Sequence, residues 1–317
     1  MKVRALGQSG LSIVPLVFGG NVFGWTVDQA QSFRLLDGLV DAGLNAIDTA
    51  DCYSLWAPGN QGGESETIIG HWLAANPHKR DKVLLLTKVG WDLGGGRKGL
   101  SRQRILAGVE DSLRRLQTDC IDLYQSHCPD DSVPHEETLR AYETLIKDGK
   151  VRAIGCSNYS ATQLQAALDI SRELGLPRYA TLQPEYNLYD RAQFDGALKS
   201  LAVQEGLGVI TYFSLASGFL SGKYRSEADL HKSQRGGGLA KYLNARGLGI
   251  LAALDDVAAE QQASQAEVAL AWVMASEGVT APIASATSTG QLASLVRAVA
   301  LELSTEQMAR LEQASAL

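Results

Sequence analysis

Eight short apolar runs recur along the 317-residue chain, and most are followed by a stretch of helical periodicity. The runs are Val14–Phe18, Asn45–Asp48, Val83–Lys88, Ile121–Ser126, Val151–Cys156, Ala180–Gln183, Gly208–Tyr212 and Thr280–Ser285. Each is rich in Val, Ile, Leu or Tyr and bounded by Gly, Pro, Asn or Asp, as buried strands are. Helices are expected over Gln29–Ala42, Arg102–Leu116, Glu136–Asp148, Ala161–Leu174, Ala192–Glu205, Gln265–Ala275 and Thr289–Val299. Ser304-Thr305-Glu306-Gln307 reads as a capping box that opens a last helix. Eight alternations in about 300 residues predict an α/β fold, a closed (β/α)8 TIM barrel. An open doubly wound sheet is the alternative.

Ahead of the first run, Val3–Leu6 and Leu11–Ile13 flank Gly7-Gln8-Ser9-Gly10, a hairpin signal. Such a hairpin would plug the N-terminal mouth of the barrel. No Ser/Pro/Gly linker divides the chain, so residues 1–317 are expected to form one barrel domain with extra helices toward the C-terminus. Gly94–Gly96 and Gly236–Gly238 read as loops, with a lid as the other reading. Lys223–Gly247 is long for a structureless connection, which favours a segment that closes over a ligand.

A net charge of −6, from 29 basic and 35 acidic residues, argues against a broad nucleic-acid surface. The apolar runs are too short to span a bilayer, and the start, Met1–Gly7, has no apolar leader core. Cys52, Cys120, Cys128 and Cys156 show no paired spacing. The expectation is a cytoplasmic protein with no disulfide framework, structural zinc or other metal-ligand set.

In such barrels chemistry gathers at the C-terminal ends of the strands. Asp48, Lys88 and His127 fall there on three consecutive units, and Tyr53 follows Asp48 closely enough for its loop to fold over the same mouth. A buried lysine and a buried aspartate are costly apart, so an Asp48–Lys88 pair is expected. His71, His78, His135 and His231 lie in helical or loop contexts and read as ordinary polar residues.

Several segments resemble the aldo-keto reductase superfamily, in order and over essentially the whole chain. They are Ile47-Asp48-Thr49-Ala50-Asp51-Cys52-Tyr53, Thr87-Lys88, Asp122–His127, Gly149–Asn158 and Leu182-Gln183-Pro184-Glu185-Tyr186-Asn187. The resemblance implies NAD(P)H-dependent reduction of an aldehyde or ketone, and the reverse oxidation, with Asp48, Tyr53, Lys88 and His127 as the catalytic tetrad. Tyr53 would be the proton donor, its pKa lowered by Lys88, and His127 would orient the carbonyl. It also implies that Ser157, Asn158 and Gln183 hold the nicotinamide carboxamide and that Tyr212 stacks on the ring. The turn containing Ser214, Leu215, Ser217 and Gly218, with Lys223 after it, would meet the pyrophosphate. Ser285, Thr287 and Gln291 would meet the adenosine end.

NADP(H) is the cofactor the resemblance implies, but Ser285–Gly290 contains no cation for a 2′-phosphate. NAD(H) is therefore expected to serve as well, unless Lys223 or Arg225 reaches in. Trp25, Trp56 and Trp91 follow the first three strands and would wall the pocket of a small carbonyl substrate, whereas Trp72 and Trp272 read as packing residues. Two rival functions are a cofactor-sensing regulatory subunit and a lyase forming a Schiff base on Lys88.

Overall fold

The computed structural model describes residues 2–316; Met1 and Leu317, the ends of the expected domain, lie outside the described residues. Strands β1 (Arg4–Ala5) and β2 (Ser12–Ile13) pair antiparallel as the expected hairpin. Eight parallel strands then close into a barrel: β3 (Val17–Gly19), β4 (Ala46–Asp48), β5 (Leu84–Val89), β6 (Ile121–Ser126), β7 (Val151–Ser157), β8 (Thr181–Gln183), β9 (Gly208–Thr211) and β10 (Ala281–Ala284), with β10 pairing back onto β3. The closed barrel excludes the open-sheet alternative.

Strand side chains alternate between the two faces of a sheet, and here the alternation separates two cores. Val17, Ala46, Leu86, Leu123, Ala153 and Ile210 fill the barrel interior, joined by Leu6, Leu11 and Ile13 from the hairpin. The hairpin is therefore a plug. Gly7 allows the close approach, because a Cβ there would lie 2.2 Å from the Gly208 backbone nitrogen. Ile47, Leu85, Tyr124, Ile154 and Leu182 point outward and pack with the helices.

The helices are α1 (Gln29–Asp41), α2 (Glu64–Ala75), α3 (Arg102–Leu116), α4 (His135–Lys147), α5 (Ala161–Leu174), α6 (Ala197–Gln204), α7 (Ala245–Gln261), α8 (Gln265–Ala275), α9 (Thr289–Ala300) and α10 (Thr305–Ala314). Helices α7 and α10 are the extra pair. Ser304 caps α10 with the reciprocal box read from the sequence, and Ser160 and Ser264 do the same for α5 and α8. No helix among the described residues is long and apolar enough to cross a membrane.

Two local expectations need correction. Helix α6 begins at Ala197 rather than Ala192, because Gly196 at φ 95° breaks the turn before it. Gly236–Gly238, read as a loop, opens a 3-10 turn over Gly236–Tyr242 that follows another over Glu227–Lys232 and leads into α7. Helix α2 was not expected at all; it buries Ile68, Ile69, Trp72 and Leu73 and exposes His71, Ala74 and Ala75.

Candidate active site

Ala46 faces the barrel interior, so Asp48, two residues on, does too; the same period carries Leu86 to Lys88 and Leu123 to Gln125. The interior thus turns from apolar to polar at its C-terminal end. Lys88 is 0% and Asp48 1% exposed, which makes full pairing necessary. Lys88 Nζ donates to Asp48 Oδ2 at 2.7 Å, to the Thr49 carbonyl at 2.9 Å and to the Tyr53 hydroxyl at 2.8 Å. Those are all three ammonium protons. Asp48 Oδ2 also accepts from Tyr53 at 3.0 Å, and its Oδ1 accepts from Gln183 Nε2 at 2.9 Å.

The net shift of the Tyr53 pKa in this arrangement is upward, opposite to the direction expected from Lys88 by itself. Burial, and then the Asp48 carboxylate that accepts its proton, hold the Tyr53 phenol well above its ordinary value near 10. His127 goes the other way: burial, and then the Lys88 charge, push its imidazole well below the usual range. Its backbone N–H donates to the Val89 carbonyl at 2.8 Å, and its Nδ1 faces Cys52 Sγ at 3.5 Å. The Tyr53 and His127 rings meet edge to face at 6.1 Å.

Behind this cluster lies a charged layer that the sequence reading missed. Asp51 pairs with Arg104, Glu66 with Arg115 at 2.7 Å, and Thr87 donates to Glu66 at 2.6 Å. Burial pushes the Asp51 carboxyl up to about 7 despite Arg104. The acidic and basic partners come from distant elements, so no local spacing announced them.

The residues expected at the cofactor fall into two groups. Ser157, Asn158, Gln183 and Tyr212 occupy the ends of β7, β8 and β9. Ser157 Oγ donates to the Gln183 carbonyl at 2.8 Å, Asn158 Nδ2 to the His127 carbonyl at 2.9 Å, and Tyr212 to Asn158 Oδ1 at 2.8 Å. Ser214, Leu215, Ser217, Gly218, Lys223, Ser285, Thr287 and Gln291 instead line one cavity of about 650 Å³. Phe213, Ala216 and Ser217 adopt left-handed backbone at φ 51°, 47° and 56°. Left-handed backbone at non-glycine residues is costly and gathers at ligand sites, although the Ala216 and Gly218 N–H groups of this turn are spent on the Phe213 and Leu215 carbonyls.

Arg235 also lines this cavity, and the sequence reading missed it. Its guanidinium lies 5.1 Å from the Trp25 ring, and its buried Nη2 has no hydrogen-bond partner. Arg225, one of the two cations anticipated for this end, instead pairs with Asp255 at 2.8 Å. A neighbouring cavity of about 420 Å³ is lined by Trp25, Trp56, Phe213, Arg235, Lys241 and Tyr242, among others. Trp25 and Trp56 meet edge to face at 5.7 Å, and the Trp91 ring lies 5.2 Å from His127. All three tryptophans expected at the mouth are therefore near it, while Trp72 and Trp272 are fully buried.

A model of the Aldo/keto reductase family matches residues 15–316. The chain is 36% identical over 316 residues to an uncharacterized oxidoreductase of Bacillus subtilis (strain 168), YrpG, covering 96% of this chain and 93% of that protein. It is 33% identical over 308 residues to a probable voltage-gated potassium channel subunit beta of Oryza sativa subsp. japonica, covering 94% and 91%. It is 30% identical over 324 residues to the L-glyceraldehyde 3-phosphate reductase of Escherichia coli O157:H7, covering 99% and 92%. With matches along nearly its whole length to a family whose segments the barrel strands carry, the chain belongs to the aldo/keto reductase family of oxidoreductases.

Proposed function

We propose that the protein reduces an aldehyde or ketone to an alcohol with NADPH or NADH, and that Tyr53 supplies the proton. The observation that carries this reading is the contact of the Tyr53 hydroxyl with both Lys88 and Asp48. A reduced nicotinamide, when bound, supplies the hydride. The elevated Tyr53 pKa keeps the phenol loaded at neutral pH. Once the proton passes to the nascent alkoxide, the phenolate left behind lies against the Lys88 ammonium, which stabilises it. Asp48 holds that ammonium in place. Neutral His127 would donate from Nε2 to the carbonyl oxygen, with the Cys52 thiol donating to Nδ1 and fixing that tautomer.

The residues fit a dinucleotide on two counts: a cavity of about 650 Å³ lined by residues from Ser214 to Gln291, and the buried, unpartnered Nη2 of Arg235 in its lining. Ser157, Asn158 and Gln183 would hold the carboxamide. Gln183 already spends its amide N–H on Asp48, which leaves its carbonyl oxygen to accept. Tyr212 would stack on the nicotinamide. The Ser214–Gly218 turn, Lys223 and Arg235 would meet the pyrophosphate, and Ser285, Thr287 and Gln291 the adenosine. Trp25, Trp56 and Trp91 offer flat walls for an aryl group or a sugar face.

A second reading is a cofactor-sensing regulatory subunit; the name of the rice relative, a probable channel subunit beta, bears only on the subunit part of it. The complete Asp48–Tyr53–Lys88–His127 set weighs against it, because a sensor has no need of a proton donor. A Schiff base on Lys88 is disfavoured, as all three ammonium protons are engaged by oxygens. Purified protein mixed with NADPH or NADH and a panel of aryl aldehydes, sugar phosphates and cyclic ketones tests the main reading. Carbonyl-dependent loss of the nicotinamide absorbance supports it, and tight cofactor binding with no turnover on the whole panel favours the sensor.

A further inference from the structure

We propose that Asp51, Cys52 and His127 form a binding site for a thiophilic divalent metal ion, zinc above all, at the Nδ1 edge of His127. The loop after β4 brings the first two residues, and the end of β6 brings the third. One ligand atom from each, a carboxylate oxygen, Sγ and an imidazole nitrogen, lies within 4.8 Å of the others. The Sγ–Nδ1 separation is 3.5 Å. Zinc with bonds of about 2.0–2.3 Å sets tetrahedral ligands roughly 3.3–3.8 Å apart, so this pair already has the required spacing.

The donor set is also right in kind and charge. A thiolate, an imidazole and a carboxylate are ordinary zinc ligands, and one thiolate plus one carboxylate neutralise a dication. An independent observation points to the same place. Asp51 is almost fully buried, Arg104 engages its Oδ2, and its Oδ1 has no partner at all. Buried polar atoms are seldom left so. Arg104 would act as the outer partner that orients a ligating carboxylate. Metal entry would exchange the Cys52 thiol proton for the ion and release that proton to solvent.

Binding has a consequence for turnover that rests on the function proposed above. The Tyr53 and His127 rings meet at 6.1 Å, and a zinc ion on Nδ1 would take the imidazole edge that the Cys52 thiol holds in the proposed mechanism. Zinc is therefore expected to lower kcat at least tenfold, and more aldehyde does not restore it.

The test is a titration of the metal-free full chain with cobalt(II), read by visible spectroscopy. One equivalent should bind with a thiolate-to-cobalt charge-transfer band, and zinc should displace it. Cys52→Ala should abolish the band, whereas Cys128→Ala should keep it. Absence of the band at saturating cobalt, or its survival in Cys52→Ala, overturns the site. Should Cys52→Ala fail to fold, Cys52→Ser replaces it: zinc affinity must then fall by more than the roughly 10–100-fold that loss of an outer partner costs, and unchanged affinity overturns the site. Zinc that binds without lowering kcat overturns the inhibition. The spectrum needs no turnover, so a chain that reduces no carbonyl yet shows the band keeps the metal site and loses only the reductase reading.

Discussion

The Lys88 ammonium donates to the Tyr53 hydroxyl across 2.8 Å, while that hydroxyl donates onward to the carboxylate that Lys88 also holds. The three groups form a closed triangle in which every proton has a place. The arrangement favours a protonated phenol before reaction and a stabilised phenolate after it. Under the proposed function, one lysine therefore serves the product side of the proton transfer more than the reactant side.

Tyr53→Phe removes the proton and leaves the ring. Turnover should fall about 10²–10⁴-fold, the usual contribution of a positioned acid. Cofactor dissociation constants should stay within about twofold, as the hydroxyl bonds only to Lys88 and Asp48. A variant that keeps half the wild-type kcat would remove Tyr53 from the mechanism.

Lys88→Met strands the Asp48 carboxylate in the barrel. Losing one member of a buried pair costs about 3–5 kcal/mol. The double variant Lys88→Met/Asp48→Asn should melt higher than Lys88→Met alone. Equal melting temperatures would contradict the pairing as a source of stability.

The pH dependence follows from two opposite shifts. Folded His127 refuses a proton that the unfolded chain accepts near pH 6.5. Stability therefore falls as the pH drops through that value, and His127→Gln should lose less melting temperature than wild type between about pH 7 and about pH 5. Tyr53 is shifted upward, so its contribution is intact below about pH 10 and is lost only as the pH rises past that unfolded value. The rate of reduction should accordingly show no basic limb from Tyr53 below about pH 10. A clear inflection near pH 8 that vanishes in Tyr53→Phe would contradict the upward shift.

Much of this was legible in the sequence. The eight strands were readable because each is short, apolar and flanked by turn residues, and Asp48, Lys88 and His127 stood at the ends of consecutive ones. Cys52 was legible only as a neighbour of Tyr53, for its contact with His127 spans 75 residues. Arg235 was hidden because it sits in irregular backbone, ahead of Gly236, whose buried Cα allows no side chain beside the Leu230 carbonyl. Helix α7 was obscured by Gly247 and Gly249, which lower helix propensity in a helix held by packing.

Under the proposed function Arg235 meets the pyrophosphate and Thr287 the adenosine end, so variants at the two distinguish the phosphates. A hydrogen bond to a charged group is worth about 1.5–3 kcal/mol, so Arg235→Ala should weaken NADH and NADPH alike, by roughly 10–150-fold. Thr287→Arg adds the cation that Ser285–Gly290 lacks and should shift preference toward NADPH. Isothermal titration with both reduced cofactors checks each variant. Loss confined to NADPH in Arg235→Ala would place Arg235 at the 2′-phosphate instead.

Deuterium transfer from the cofactor tests the central claim most directly. The protein is incubated with NADPH or NADH deuterated at nicotinamide C4 and a panel of aryl aldehydes, sugar phosphates and cyclic ketones, and the products are read by mass spectrometry. The account predicts an alcohol carrying a single deuterium with wild type and at least a hundredfold less of it with Tyr53→Phe. Failure of every carbonyl to yield deuterated alcohol while the cofactor binds, or full labelling with Tyr53→Phe, would contradict it.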